Sequence, residues 1–192
     1  MSKSVAKRAP EAISEHNRNS GAMAQSALPI TEVLVVADCW LNEPDVEAVI
    51  QRAIAVAAEM VDADISEAEL AVMLTDDGGI RTLNKNWRGL DKPTNVLSFP
   101  ALQPTAERSS QDDAPRMLGD IAIAYETTRR EADDEQKRFD HHLSHLAIHG
   151  FLHLIGYDHE KEQDAETMET LEREILAQLD IPDPYAERER MD

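Results

Sequence analysis

The chain has little to staple it and nothing long enough to cross a bilayer. Its one cysteine, Cys39, excludes an internal disulfide and points to a reducing compartment, the cytoplasm. The thiol lies beside a β-branched run that reads as a buried strand, so packing is its expected role. No apolar stretch approaches the roughly 20 residues of a membrane-spanning helix. The first residues lack a continuous apolar segment and do not read as a secretory signal. There is no internal repeat. Positive charge is short: 19 Lys and Arg stand against 38 Asp and Glu, a net charge of −19. So acidic a surface repels phosphate and argues against general nucleic-acid binding.

That charge is unevenly spread. Between Arg81 and Lys92 there are four bases (Arg81, Lys85, Arg88, Lys92) and one acid, Asp91. From Glu160 to Asp192 twelve acids outnumber four bases, which reads as a solvated helix face. A local basic patch can therefore work against the acidic background.

With 192 residues and 42% hydrophobic content, the chain reads as one domain with tails. Residues 1–28 are rich in Ser, Ala and Asn, lack periodicity and read as a disordered tail. Residues 29–182 form the expected domain, and 183–192 an acidic carboxy-terminal tail. Strands are expected at Thr31–Ala37, Glu69–Thr75, Asn95–Phe99 and Met117–Ala124. A helix follows Pro44, with Val46, Val49, Ile50, Ala53, Ala57, Met60 and Val61 on one face. Asp76-Asp77-Gly78-Gly79 turns into a short helix whose Ile80, Leu83 and Trp87 are expected inward. A polar loop covers 103–115, and a helix of mixed charge starts near Tyr125. The segment from His141 to Ile155 reads as a buried helix. Glu160 to Leu179 is amphipathic, with Met168, Leu171, Ile175 and Leu179 on one face. Two consecutive strands near the middle suggest an α+β fold, with a mixed four-stranded sheet packed around the histidine-bearing helix.

What the chain does have is His149-Gly150-Phe151-Leu152-His153-Leu154-Ile155-Gly156-Tyr157-Asp158-His159. His149 and His153 are i and i+4, so their imidazoles leave one face of a helix. Gly156 can take a left-handed conformation and end that helix, letting His159 swing back. Three protein ligands leave a fourth position for water, the arrangement of a catalytic rather than structural zinc. The spacing matches the H-E-x-x-H-x-x-G-x-x-H pattern of metzincin proteases. Gly150 replaces their glutamate base, so the pattern argues for hydrolysis by metal-activated water and against an ordinary metallopeptidase.

This motif, with Leu83-Asn84-Lys85-Asn86-Trp87-Arg88, Pro93-Thr94-Asn95-Val96-Leu97-Ser98-Phe99-Pro100 and Leu118-Gly119-Asp120-Ile121, closely resembles the YbeY family. These are single-strand-specific metallo-endoribonucleases of ribosomal RNA maturation. The blocks occur in family order over about residues 70–160; residue 95 is Asn where many members have Asp. The resemblance implies one zinc ion held by His149, His153 and His159, and an essential arginine, here Arg88, as phosphate contact. It implies cleavage of single-stranded RNA at the 3′ end of small-subunit ribosomal RNA. It names the small subunit and its assembly proteins as partners, with no DNA and no membrane.

Around that core, Asp158 is a candidate to orient a ligand imidazole, with turn capping as its alternative; His145 is a candidate to orient an imidazole or touch substrate, with helix packing as its alternative. His141 and His142 are expected at the surface. Asp120, Ser98 and Thr94 read as structural, and Trp87 reads as core rather than as a stacking residue. A zinc-containing, non-catalytic ribosome assembly factor is the second reading; a fourth ligand such as Cys39 or Asp158 would support it. A metallopeptidase with a substitute base is the third.

Overall fold

The computed structural model describes residues 28–101 and 116–186. Nearly all of the expected amino-terminal tail, the 103–115 loop and residues 187–192 lie outside them. The described chain runs β1 (Ile30–Val35), α1 (Val46–Met60), β2 (Ala68–Thr75), α2 (Asp77–Arg88), β3 (Val96–Pro100), β4 (Arg116–Ala124), α3 (Tyr125–Asp134), α4 (Phe139–Leu154) and α5 (Glu162–Gln178). The strands form one mixed sheet in the order β1-β2-β4-β3. β1, β2 and β4 are parallel, and β3 pairs antiparallel with β4 at one edge. The expected α+β architecture is the observed one.

Side-chain alternation assigns the two faces. Ile121 and Ile123 of β4 join Leu70, Val72 and Leu74 of β2 in a core that α1, α4 and α5 cover. Ala122 and Ala124 point the other way and meet Ile80 of α2, with Leu83 and Phe99 packed against them. β4 is thus apolar on both faces, as a central strand should be. In α1 the buried positions are Ile50, Ala53, Ile54, Ala57 and Ala58, the helical stripe that the sequence shows.

β1 corrects one expectation. It is a strand, but an edge strand rather than a buried one: Ile30, Leu34 and Val35 are all exposed. A β-branched run reports extended backbone, not the number of neighbours it acquires. Cys39, just beyond it, is half-buried and packs on the larger core. Trp40 is fully buried and donates its indole N–H to the Thr75 carbonyl at 2.8 Å.

α4 is the central helix, touching α1, α3, α5, β3 and β4. It comes so close to the sheet because residue 150 is glycine. A Cβ built there would lie 2.9 Å from Ile121 Cγ2 and 3.2 Å from Ser98 Oγ. Ser98 donates its hydroxyl to the Gly150 carbonyl at 3.2 Å, across the same contact. A glutamate at this position would be driven into the sheet. Gly150→Ala should therefore cost about 1–3 kcal/mol through overpacking, measured by urea denaturation of the metal-free protein. Unchanged stability would mean that the helix can lift from the sheet.

Candidate metal centre

The end of α4 builds the site. Gly156 has φ +100°. The Tyr157 N–H donates to the Leu152 carbonyl at 3.0 Å, and the Gly156 N–H to that of His153 at 3.2 Å. These are the two bonds of a Schellman terminus, which reverses the chain through a left-handed glycine. Asp158 Oδ1 accepts from the His159 N–H at 2.7 Å and holds the reversal. The result gathers His149, His153 and His159, with one nitrogen of each within 4.8 Å of the others.

Two hydrogen bonds then orient two of the rings. His153 Nδ1 lies 3.0 Å from the Tyr157 carbonyl oxygen, which can only accept. His149 Nδ1 lies 2.8 Å from Glu172 Oε1. Glu172 is fully buried. Burial pushes its carboxyl up, but hydrogen bonds from His145 and His149 outweigh this and hold it well below the usual carboxylate range. It too is an acceptor. Both Nδ1 atoms therefore donate, which leaves the two Nε2 atoms to face each other. Those Nε2 atoms are 3.2 Å apart. A shared proton or a metal ion can occupy the space between them. Burial, and then His149 and His159 nearby, hold His153 below the ordinary imidazole value of 6.5, so it is neutral at pH 7. Three converging imidazole nitrogens fit a metal ion of the zinc type.

His149 and His159 line a cleft of about 900 Å³, whose walls also include Asn95, Glu131, His141, His145 and Tyr185. Among the described residues no fourth His, Cys, Asp or Glu joins the cluster, so neither Cys39 nor Asp158 closes it. His145 is not at the trio. Its Nε2 meets Glu172 Oε2 at 3.0 Å and the Tyr185 hydroxyl at 3.3 Å, and Tyr185 also bonds Glu172. His145 thus touches the site through Glu172. The Asp158 carboxylate caps its turn and bonds no imidazole among the described residues.

His142 corrects the surface expectation. It is buried, with Nε2 3.0 Å from Glu131 Oε2, which also accepts from Asn95 Nδ2 at 2.9 Å. Burial pushes the Glu131 carboxyl up, and the bonds from His142 and Asn95 more than reverse that. Ser98 and Thr94 make structural bonds, to Gly150 and Asn95. Asp120 is exposed.

Arg88 stands in the last turn of α2, exposed, with no hydrogen-bond or ion-pair partner among the described residues. It does not touch the trio. The turn after it is fastened to the helix, since the buried Asn84 donates from Nδ2 to the Lys92 carbonyl at 2.8 Å. That turn leads into Asn95 and Val96 on the cleft wall. Trp87 is not core: it is 73% exposed. Its helical angle matches Ile80 and Leu83, but the last turn of α2 reaches the edge strand β3, where the ring leans on Phe99 at 5.7 Å.

Glu172, Glu131 and Tyr185 were not foreseen from sequence. Glu172 did leave a trace. It lies on the α5 stripe of Met168, Leu171 and Ile175, where a carboxylate can be buried only beside strong donors.

A mixed four-stranded sheet with three histidines at the end of its central helix defines an α+β protein with a candidate hydrolytic metal centre. Comparison with known proteins narrows this. The sequence pattern described as endoribonuclease YbeY matches residues 37–180. Relatives named Endoribonuclease YbeY include one from Bradyrhizobium sp. strain BTAi1, 73% identical over 88% of this chain and 100% of its own length. Another, from Bradyrhizobium diazoefficiens, is 76% identical over 86% of this chain and 90% of its own. The solution structure of TM1509 from Thermotoga maritima aligns with TM-score 0.50 at 23% identity, covering 78% of this chain and 91% of that one, and shares the fold. The chain belongs to the endoribonuclease YbeY family, a family of RNA-cleaving enzymes.

The Glu172 carboxyl sits lower in the folded chain than its ordinary value of 4.5, so its contribution to stability is present above about pH 4.5 and fades as pH falls further. Glu172→Gln should destabilise the metal-free protein by about 1–3 kcal/mol at pH 7. The gap should narrow at pH 4, as read by urea denaturation at both pH values. An equal gap at both would show that the carboxylate charge is not what the fold uses.

Proposed function

We propose that the chain is a zinc-dependent endoribonuclease cutting single-stranded ribosomal RNA precursor near the 3′ end of the small-subunit RNA. It works in the cytoplasm with the small subunit and its assembly proteins as partners. The observation that carries the reading is the convergence of three imidazoles, one nitrogen of each within 4.8 Å of the others, with His149 and His159 on the wall of a cleft. Family membership gives the substrate class. Zinc, when bound by His149, His153 and His159, supplies Lewis acidity toward a phosphoryl oxygen and brings the pKa of a coordinated water to about 7.

The protein's own groups do the rest. Glu172 and the Tyr157 carbonyl hold two ligand rings in the donating orientation. Arg88 offers a planar guanidinium, without an acidic partner among the described residues, to pair bidentately with phosphate and take up charge that builds on it. His145, braced by Glu172 and Tyr185, lines the cleft as a substrate contact. Two features favour RNA over peptide. The site of a peptidase's glutamate base is Gly150, pressed on Ile121. Arg88 and Lys92 supply cationic contacts within an otherwise acidic chain. An ion held by these three histidines alone would keep a position for water or substrate, and that supports a catalytic role over a purely structural one.

The deciding experiment measures zinc per chain and cleavage of a single-stranded precursor RNA, with and without small subunits. Wild type should hold about one zinc and cut; His153→Ala should do neither. Arg88→Ala should keep its zinc and lose about 10²–10³-fold in kcat, the usual effect of deleting one charge-stabilising donor. Zinc-loaded wild type that never cuts, even with subunits present, would move the assignment to an assembly factor.

A further inference from the structure

We propose that Trp87 is a stacking platform for an unpaired base of the RNA, beside the phosphate contact at Arg88; this rests on the ribonuclease reading above. Trp87 is the most exposed large apolar side chain among the described residues, at 73%. An indole left in water forgoes the burial that usually makes tryptophan worth having. This one is not loose, because Phe99, itself half-buried in the smaller core, braces it at 5.7 Å and 59°.

The charges around it point to a polyanion. Asp91 takes Arg81 at 2.7 Å and Lys85 at 2.9 Å. Arg88 and Lys92 are left without an acidic partner among the described residues. Their turn is rigid: Asn84 holds the Lys92 carbonyl, and the Leu90 N–H donates to the Asn84 carbonyl at 3.3 Å. In a chain of net charge −19, two cations without an acidic partner among the described residues, beside an exposed indole, form a confined place where a phosphate backbone is welcome. Cationic grooves with aromatic rings are how proteins hold single strands, because every unpaired base has a face to stack. From this turn Pro93 and Thr94 lead to Asn95 and Val96, which share the cleft wall with His149 and His159. A strand stacked on Trp87 would reach the histidines over the β3 edge. A paired base cannot stack this way, so the platform also gives a physical source for single-strand preference.

An exposed tryptophan can equally anchor a protein contact; the neighbouring cations Arg88 and Lys92 favour RNA, and one set of measurements separates the two. Cleavage of an unstructured RNA oligonucleotide would be followed with zinc-loaded wild type, Trp87→Ala and Trp87→Phe, after thermal melts establish equal folding. Trp87→Ala should raise KM about tenfold with kcat unchanged, the loss of one base–aromatic stack. Trp87→Phe should recover most of it. Replacing bases one at a time by abasic positions should reveal one position where wild type falls to the alanine level. Trp40 is buried, so quenching of intrinsic fluorescence by a 2′-O-methyl oligonucleotide should report Trp87 and vanish in the alanine variant. An alanine variant with wild-type KM and wild-type quenching overturns the proposal. Wild-type KM combined with lost self-association in sedimentation also overturns it and makes the face a protein contact. If wild type neither cuts nor binds RNA, the ribonuclease reading itself has failed, and that is visible without any variant.

Discussion

Two imidazole rings, each turned by a hydrogen bond at Nδ1, organise this molecule. His149 and His153 each spend the Nδ1 proton on an acceptor that gives nothing back, a buried carboxylate and a main-chain carbonyl. What remains is two Nε2 atoms facing each other 3.2 Å apart, an arrangement held by the acceptors behind the rings. Much of the surrounding structure follows from that constraint. α4 must end where it does, so that Tyr157 presents its carbonyl to His153. α5 must pack where it does, so that Glu172 reaches two successive turns of α4 at once. The site is therefore fixed from both sides by atoms that bind no metal themselves, a common means of setting ligand geometry.

The burial of Glu172 ties the site to the carboxy-terminal segment. Its Oε2 takes bonds from both His145 and Tyr185. The segment is further attached where Lys137 Nζ meets the Pro184 carbonyl at 3.1 Å. A buried carboxylate is tolerable only when its oxygens are satisfied, and here three donors do it. Residues 182–186 consequently form a wall of the cleft.

Legibility from sequence divided along physical lines. The α1 stripe, the end of α4 at Gly156 and the histidine trio were readable because each depends on spacing within one short segment. The sheet was readable as four extended runs, and its mixed order from two consecutive strands. What could not be read depends on distant partners. Glu131 and His142 stand eleven residues apart on different helices, and neither carries a mark of the other. Glu172 looked like one acid in an acidic helix. β1 had the composition of a strand, but composition does not say whether a neighbour lies on one side or two. Trp87 had the right helical angle to be buried, and only the place where the sheet stops leaves it in solvent.

The contact at Gly150 also bears on how such a site can change over evolutionary time. The histidine spacing is one that peptidases share, and a single codon would seem to separate the two chemistries. In this fold that step is closed, because the position that would bear a new carboxylate is the contact point between α4 and the sheet. Opening it would require Ile121, Ser98 and the seat of the helix to move together. The packing thus acts as a lock on specialisation: it leaves the ligand set free to be kept or lost, but blocks the shortest path by which the scaffold could acquire a different substrate.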